Sequence, residues 1–257
     1  MKKIIYAVLA ASVLLMASGC SKKGVVVING ADDLEGKKVG VQAGTTGEIY
    51  ASDIPDVKLS SFKSGIDAGL ALSAGTIDAI VLDELPAKEI VKRSRNLMIL
   101  EEEFSLEDYA IAVRKGDDNL LNAINASIAR MKSDGTYDML QNAFMPAEGE
   151  IVIPEISESA PNGKIIKLGT EPSFPPFEYT EGTKVVGFDV SQSQIIANDM
   201  GCKLEVVAMN FDSLIAALQS GAVDFIAAGM TVTEERKESV NFSEPYYQSK
   251  QVIIVRK

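Results

Sequence analysis

The chain has 257 residues, which allows one large domain or two domains of about 100–130 residues. Its 36 acidic residues outnumber its 25 basic ones, and a net charge of −11 argues against a nucleic-acid-binding surface, which needs a basic face. The chain contains no His and two Cys, so His-based catalytic triads, His metal sites, zinc knuckles and disulfide frameworks are excluded.

The first twenty residues have the pattern of an export signal. Lys2 and Lys3 precede an apolar run from Ile4 to Ala17, and Ser-Gly-Cys20 follows. About 14 apolar residues are too few for a membrane span, which needs roughly 20. A Cys after Ser-Gly resembles a bacterial lipoprotein processing site, although Ala17 stands where Leu is commonest. The resemblance implies cleavage before Cys20 and lipidation of its thiol; the alternative is an ordinary signal peptide with a chance Cys.

Strand and helix patterns alternate along the first half of the remaining chain. Strands are predicted at Lys38–Gln42, Ile77–Leu82, Leu97–Leu100 and Tyr109–Val113. Helices are predicted at Ile66–Ser73, Leu85–Arg93, Asn119–Lys132 and Tyr137–Phe144, and a further helix is expected to begin after Gly44-Thr-Thr-Gly47. Residues 146–163 then hold three Pro, two Gly and four Glu, which predicts an extended, solvent-exposed linker.

The alternation resumes after this linker. Strands are predicted at Lys164–Gly169, Lys203–Ala208, Val223–Ala227 and Gln251–Val255. Helices are predicted at Val190–Asp199, Phe211–Gln219 and Thr233–Ser239. Strands that alternate with helices predict a mostly parallel sheet covered by helices, the α/β class.

One internal repeat indicates two similar lobes. Residues 71–80 and 217–226 share five of ten identities, and each copy has the pattern of a helix, a Gly and a buried strand. Any helix–Gly–strand unit shows some of this pattern, so the repeat is a hint and not a proof. A two-lobed α/β protein binds its ligand in the crevice between the lobes, at the carboxyl ends of strands.

Five motifs in a fixed order give a more specific signal. They are Leu-Gly-Thr-Glu-Pro-Ser-Phe-Pro-Pro-Phe-Glu-Tyr (168–179), Gly-Phe-Asp-Val (187–190), Asn-Phe-Asp-Ser-Leu-Ile-Ala-Ala-Leu-Gln-Ser-Gly (210–221), Ala-Gly-Met-Thr-Val-Thr-Glu-Glu-Arg (228–236) and Phe-Ser-Glu-Pro-Tyr-Tyr (242–247). Together they resemble the first half of the polar amino-acid substrate-binding proteins of bacterial ABC transporters. Residues 32–145, with Gly-Val-Gln-Ala-Gly-Thr-Thr-Gly and Val-Leu-Asp-Glu, resemble the second half of that family.

The two halves stand in exchanged order, which predicts a circular permutation of a two-lobed, type II periplasmic-binding-protein-like α/β fold. The alternative is a truncated tandem protein whose halves belong to different lobe pairs. Residues 24–29 loosely repeat the pattern of residues 251–256. Such a repeat is expected if the chain derives from an ancestor made by tandem duplication, in which both segments represent the same crossover strand. Chain ends that lie close together on a surface make such a rearrangement tolerable.

The resemblance implies the following organisation. Residues 1–20 are the signal with its lipoprotein cysteine, 30–108 are lobe 2, 109–115 a hinge crossover strand, 116–145 helices packed on lobe 1, 146–163 the linker, 164–250 lobe 1, and 251–257 a second hinge strand. On this view only the crossover at 109–115 is continuous, and the C-terminal strand docks noncovalently.

A free amino acid is a zwitterion, so its pocket needs a cation, an anion and hydrogen-bonding groups. Arg236 is the candidate for the ligand carboxylate, because its planar guanidinium makes two parallel hydrogen bonds, which Lys cannot. Taken alone, an Arg in Thr-Glu-Glu-Arg-Lys-Glu is typical of a solvated helix face. The preceding loop favours binding, since Gly229 permits close backbone approach and Thr231 offers a hydroxyl. The resemblance implies that these positions hold the carboxylate and amino groups.

The ammonium group needs an anionic partner, and Asp83 follows an apolar strand at its carboxyl end. Its alternative role is a helix N-cap before Glu84 and Leu85, but the resemblance favours binding. Thr46 is expected to add hydroxyl or backbone donors to the ligand carboxylate. Its loop is too short for a nucleotide-binding P-loop and lacks the Lys of that motif.

The resemblance also implies contacts with the ligand side chain. Phe174 and Phe211 match positions whose rings sandwich that side chain, although core packing is an equal alternative by composition. Glu171 is expected at a strand end with Gln42 facing it from the other lobe. A carboxylate there favours arginine, then lysine or ornithine, then glutamine, and disfavours acidic amino acids.

The predicted function is therefore that of an exported, lipid-anchored binding protein. It would capture a free L-amino acid by lobe closure and deliver it to an ABC permease, as a monomer without cofactor, metal or nucleic acid. The main alternative is an exported lyase or dehydratase on the same scaffold, for which Glu171 is the only good acid–base candidate. A receptor sensor domain is a third possibility.

Overall fold

The computed structural model describes residues 27–160 and 162–257, except for the side chains of residues 101–104. The predicted export signal and Cys20 lie outside the described residues. Within the described part of the chain, no helix is both long and apolar enough to cross a bilayer.

The described residues form strands and α-helices that are numbered in chain order. The strands are β1 (Lys38–Gln42), β2 (Lys58–Phe62), β3 (Ala79–Asp83), β4 (Leu97–Tyr109), β5 (Ala112–Arg114), β6 (Lys164–Thr170), β7 (Ser173–Phe174), β8 (Glu178–Glu181), β9 (Lys184–Val186), β10 (Cys202–Ala208), β11 (Phe225–Ile226), β12 (Val240–Phe242) and β13 (Tyr247–Arg256). The α-helices are α1 (Thr46–Ser52), α2 (Gly65–Ser73), α3 (Glu84–Arg93), α4 (Asp118–Asp134), α5 (Thr136–Phe144), α6 (Phe188–Asp199), α7 (Leu214–Ser220) and α8 (Glu234–Ser239).

The predicted helices and most predicted strands coincide with these elements to within a few residues. The predicted helix Phe211–Gln219 begins as a short 3-10 turn, Phe211–Ser213, and continues as α7. The predicted strand Leu97–Leu100 continues through an acidic stretch as β4 to Tyr109, and the predicted strand Tyr109–Val113 is divided between β4 and β5. The sequence pattern missed β2, β12 and the β7–β9 sheet, because these strands are short or half exposed and lack a clear alternation of apolar side chains.

The lobe 2 sheet has the strand order β2-β1-β3-β13-β4. Strands β2, β1 and β3 are parallel, whereas β13 runs antiparallel to both β3 and β4. Every residue of β3 is buried, as expected for a strand with neighbours on both sides and helices on its faces. The C-terminal strand of the chain is thus an interior strand of the sheet.

The lobe 1 sheet has the order β10-β6-β11-β5-β12. Strands β10, β6 and β11 are parallel, and β5 runs antiparallel to β11 and β12. A separate three-stranded sheet, β7-β8-β9, lies beside it. The fold is therefore a two-lobed α/β fold, as the sequence predicts.

Within residues 27–160 and 162–257, the backbone passes between the two sheets twice. It crosses from β4 to β5 through Ala110 and Ile111, and from β12 to β13 through residues 243–246. Both crossovers are covalent, so the expectation that only 109–115 is continuous is wrong. The second crossover strand begins at Tyr247, which pairs with Tyr109, and not at Gln251.

The segment 146–163 has no regular secondary structure but is more than an exposed linker. Its half-buried isoleucines pack against the main hydrophobic core, and they are Ile151, Ile153 and Ile156. The Val152 amide donates to the carbonyl of Ala143, and the Ser159 amide donates to Asn198 Oδ1. Most of its described residues are exposed, while its three isoleucines cover the core beside α5 and α6.

Candidate functional site

A small cavity lies between the two lobes where the carboxyl ends of β1 and β3 face lobe 1. Its volume is about 10 Å³, room for about one water molecule, so the lobes lie closed on the residues that line it. The lining residues come from both lobes: Gln42, Thr45, Thr46, Asp83, Phe174, Phe211, Gly229, Thr231 and Arg236. The structure thus brings together the residues that the sequence predicted for the ligand, except Glu171, which lies beside the cavity. A larger groove lies on the surface beside Lys115 and Lys237, and both of these lysines are exposed.

Arg236 is the buried cation of the cavity. It lies in the first turn of α8, whose N-cap Thr233 accepts a hydrogen bond from the Arg236 amide. Its guanidinium donates to the carbonyls of Thr231 at 2.7 Å and Gly44 at 2.8 Å, and the second of these bonds crosses between the lobes. Burial lowers the pKa of Arg236 from its usual high value. A guanidinium carries five N–H donors, so donors are left for an anion.

The phenyl ring of Phe211 lies against this guanidinium, with the Arg236 Cζ atom 5.3 Å from the ring centroid. A cation over an aromatic face gains electrostatic attraction. The ring therefore supports the arginine directly. A sandwich of Phe174 and Phe211 around a ligand side chain stays a prediction.

Asp83 is the buried anion on the opposite lobe. It is the last residue of β3, and the hydroxyl of Tyr109 donates a short hydrogen bond to Asp83 Oδ1. Burial and, after it, the negative charge of Glu107 raise the pKa of Asp83 to about 7. The side chain makes no N-cap bond to α3, so the alternative role as a capping residue is not fulfilled.

Glu171 and Gln42 meet across the lobes beside the cavity. Gln42 Nε2 donates to Glu171 Oε2 at 3.0 Å, and Ser173 Oγ donates to Glu171 Oε1 at 2.6 Å. Burial raises the pKa of Glu171. The pair closes one end of the cavity with a carboxylate and an amide.

The loop around Gly229 is held by a buried carboxyl group from α6. Gly229 has a φ of +53° and donates its amide to Asp189 Oδ2 at 2.9 Å. The Tyr246 hydroxyl donates to the same oxygen at 2.7 Å. Burial raises the pKa of Asp189 to about 6, and it raises the pKa of the neighbouring Glu178 well above its ordinary value.

Sequence reasoning missed several of the groups that build this site. They are Thr45, Glu107, Tyr109, Asp189 and Gln251. Asp189 belongs to the motif 187–190, and its position in a buried helix turn was a usable signal. Glu107 follows a run of acidic residues with no apolar alternation, so only the pairing of β4 with β13 reveals that its side chain is buried.

This arrangement defines a class of protein: two α/β lobes with buried groups of opposite charge that face each other across a small cavity. Residues 166–257 match the model of a family described as bacterial extracellular solute-binding proteins, family 3. The match confirms the resemblance that the motifs of the same segment predict.

Two curated relatives and one solved structure are similar to part of the chain. The chain is 44% identical over 101 residues, 39% of its own length and 40% of the relative, to the arginine-binding extracellular protein ArtP of Bacillus subtilis. It is 43% identical over 89 residues, 35% of each chain, to a probable histidine-binding protein of Campylobacter jejuni. An ancestral arginine-binding protein solved with bound arginine is 49% identical over 32% of this chain and 37% of that one, with a TM-score of 0.32. The chain thus spans about two fifths or less of the length of the curated relatives it matches.

Proposed function

We propose that the protein captures one free polar amino acid between its lobes and delivers it to an ABC importer. Arginine is the favoured ligand, followed by lysine or ornithine and then glutamine. The observation that carries the proposal is the cavity itself, in which the buried cation Arg236 and the buried anion Asp83 come from opposite lobes. A zwitterion is the ligand that satisfies both charges, and its binding favours closure of the lobes.

Each end of the ligand has a matching set of groups. Arg236 binds the α-carboxylate through its remaining N–H donors, with the Thr46 hydroxyl as an additional donor. Asp83 and Thr231 accept hydrogen bonds from the α-ammonium, and Gly229 lets the ligand approach the backbone. Glu171 and Gln42 receive the cationic side chain, and the ring of Phe174 packs along its aliphatic part.

The direct test is thermal unfolding of residues 21–257 with a panel of amino acids that includes ornithine. A ligand at 100 times its dissociation constant should stabilise the fold by about 2.7 kcal/mol. Arginine should give the largest shift. Absence of a shift with every amino acid would overturn the proposal, and conversion of the ligand into a product would instead support the lyase alternative.

The carboxylate clamp is tested by Arg236→Lys, which keeps the charge and loses the planar fork. Loss of a charged hydrogen bond costs about 1.5–3 kcal/mol, so the Kd for arginine should rise about 10- to 100-fold in calorimetry. The matched control is Lys237→Gln on the exposed side of the same helix, which should leave the Kd unchanged. Equal effects of the two variants would argue against a bidentate carboxylate site.

Side-chain preference is tested by Glu171→Gln, which retains an acceptor for Gln42 and removes the negative charge. Affinity for arginine should fall relative to glutamine, because a cationic side chain loses its partner. Glu181→Gln removes an equal charge from the exposed end of β8 and should leave this ratio unchanged. An unchanged ratio in both variants would show that Glu171 does not select the side chain.

We also propose that the chain is exported and anchored by a lipid on Cys20. The pattern of residues 1–20 supports this, and relatives with extracellular and periplasmic names agree with export. In a bacterial host the protein should partition into the detergent phase of Triton X-114, and Cys20→Ser should leave it in the aqueous phase. Equal partitioning of both would overturn the anchor.

We further propose that the chain is a circular permutant. The support is that one set of lobes is complete in the described residues, with both crossovers between their sheets present. A chain in the order 146–257, a short Gly/Ser linker and 27–145 should unfold at a similar temperature and keep its ligand preference. A monomer is expected in light scattering. Failure of the reordered chain to fold, or a wild-type dimer, would favour the truncated-tandem alternative.

A further inference from the structure

Glu107 is a buried carboxylate next to the cavity that the proposed function does not use. It lies on β4, one of the strands that cross between the lobes, and is 3% exposed. Its Oε2 atom accepts hydrogen bonds from Thr231 Oγ1 at 2.8 Å and from Gln251 Nε2 at 3.2 Å. Burial of a carboxylate costs free energy, so the buried position of Glu107 indicates a specific role for this side chain.

The bonds of Glu107 reach both sides of the cavity. Thr231 lines it from lobe 1. Gln251 Nε2, which donates to Glu107 Oε2, also donates to Thr46 Oγ1 of lobe 2 at 3.4 Å. A single carboxylate therefore orients one cavity hydroxyl directly and a second one through an amide.

The bond to Thr231 has a chemical consequence for a ligand. A threonine hydroxyl has one proton to donate and two lone pairs that accept. Because Glu107 takes that proton, Thr231 Oγ1 can offer only lone pairs to the cavity. Such an oxygen suits an ammonium group and does not suit a carboxylate.

The charge of Glu107 also acts on Asp83. Among the causes that raise the pKa of Asp83, the charge of Glu107 comes second after burial. The other titratable or charged groups that face this pair are Tyr50 from α1, Tyr109 from β4 and Arg236 from α8, with the neutral Gln251 from β13. Arg236 is the cation among them, and it is the residue assigned to the ligand carboxylate.

We propose that Glu107 is a positioning residue for the amino group of the ligand: it fixes Thr231 as an acceptor and, with Asp83, makes this end of the cavity a two-carboxylate site that a cationic group must neutralise. This inference rests on the proposed function. It adds that Asp83 must be ionised to bind the ammonium group, so affinity falls as the solution becomes acidic.

The test is calorimetry with arginine between pH 5 and pH 8.5 on the wild type and Glu107→Gln. Two buffers with different heats of ionisation count the protons released. The wild type should release a proton on binding below neutral pH and lose affinity from pH 8 to pH 6. Glu107→Gln removes the like charge beside Asp83, so its loss of affinity should begin at a lower pH and its proton release at pH 6 should be smaller.

The matched control is Asp108→Asn, the exposed neighbour on the same strand, which should follow the wild-type pH profile. Coincident profiles for the wild type and Glu107→Gln, or an equal shift in Asp108→Asn, would overturn this inference alone. Failure of the wild type to bind any amino acid at any pH would overturn the proposed function instead.

A second pair of variants covers the case in which Glu107→Gln does not fold. Thr231→Val should weaken binding of arginine more than binding of its analogue without the α-amino group, 5-guanidinopentanoic acid, while Thr231→Ser should restore the difference. Equal losses for both ligands would show that Thr231 does not serve the ammonium group.

Discussion

At the scale of single residues, Gly229 shows how closely the cavity wall is packed. A Cβ atom there would lie 2.7 Å from Phe174 Cε1 and 3.1 Å from Tyr109 Cε2, and the φ of +53° disfavours other residues. The backbone at Gly229 lies close to both rings. In this position the Gly229 amide donates to Asp189 Oδ2, and Gly229 lines the cavity. A side chain at this position would push the rings or the loop apart.

Gly229→Ala should therefore destabilise the protein through both backbone strain and crowding. The matched control is Gly182→Ala in the turn after β8, where φ is +60° and nothing lies within 4 Å of the added Cβ atom. Crowding costs about 1–3 kcal/mol, so Gly229→Ala should lose that much more unfolding free energy than the control in urea denaturation. Equal losses would mean that the rings move aside freely.

At the scale of secondary-structure elements, β13 is an interior strand on which the lobe 2 sheet depends. It pairs with β3 on one side and β4 on the other, and four of its consecutive apolar side chains, residues 252–255, are buried. Its end is held by the Lys257 amide, which donates to the Asn96 carbonyl, and by the Arg256 guanidinium, which lies 3.6 Å from Asp78. The strand is a structural member of lobe 2 and not a detachable hinge.

Deletion of residues 251–257 should therefore unfold the protein and not merely loosen closure. Burial of an aliphatic side chain contributes about 1.5–3 kcal/mol, so the four buried residues contribute about 6–12 kcal/mol, comparable with the whole stability of a domain. Circular dichroism should show loss of the cooperative transition. Deletion of Lys257 alone is the control and should retain it; a folded protein without residues 251–257 would contradict this account of β13.

At the scale of the whole molecule, contacts between the two lobes include several that span the cavity. Arg236 bonds to the Gly44 carbonyl, Gln42 bonds to Glu171, and Gly44 lies against the backbone of Asp212. These contacts join groups that opening of the lobes would separate. The loop at Gly44 is thus a contact of the closed form.

Gly44→Ala tests this closure. A Cβ atom at position 44 would lie 3.0 Å from Asp212 Cα. The matched control is Gly75→Ala, because Gly75 has a φ of +76°, against +77° for Gly44, and no atom lies within 4 Å of an added Cβ. Both variants should lose similar stability without ligand. Only Gly44→Ala should also raise the Kd for arginine, by about tenfold if crowding costs about 1.4 kcal/mol. An unchanged Kd would show that the closed lobes can bind without this close contact.

Buried carboxyl groups give the whole molecule a distinctive pH dependence. Burial raises the pKa of Asp83 to about 7 and that of Asp189 to about 6, above the ordinary value of 3.8. Groups whose pKa is higher in the folded state stabilise it fully below their unfolded pKa, and that contribution is lost as the pH rises through the folded pKa. The ligand-free protein should therefore lose stability between about pH 4 and pH 7.

Asp83→Asn isolates one of these contributions. The difference in unfolding free energy between the wild type and this variant should change by about 4 kcal/mol from pH 4 to pH 8, at 1.36 kcal/mol per pKa unit, with the wild type losing stability as the pH rises. Urea denaturation across this pH range measures it. The opposite slope would show that Asp83 is ionised and well compensated in the folded protein.

Local patterns in the sequence were sufficient for much of this fold. Helices and parallel strands follow from the spacing of apolar residues, and the carboxyl ends of parallel strands converge at one edge of a sheet, where the structure places Gln42 and Asp83. The short motifs of residues 168–236 similarly singled out Arg236, Gly229 and Thr231, which line the same cavity.

Long-range pairing was needed for the rest. Glu107 and Gln251 are 144 residues apart and meet because β13 lies beside β4, a register that no local pattern encodes. The same pairing buries the acidic Glu107, makes the C-terminal segment an interior strand and provides the second covalent crossover. Local propensity determines which segments become strands. The neighbours of β13 are selected by the free energy gained when both of its faces are buried, and this free energy is gained only when the distant segments of the chain come together.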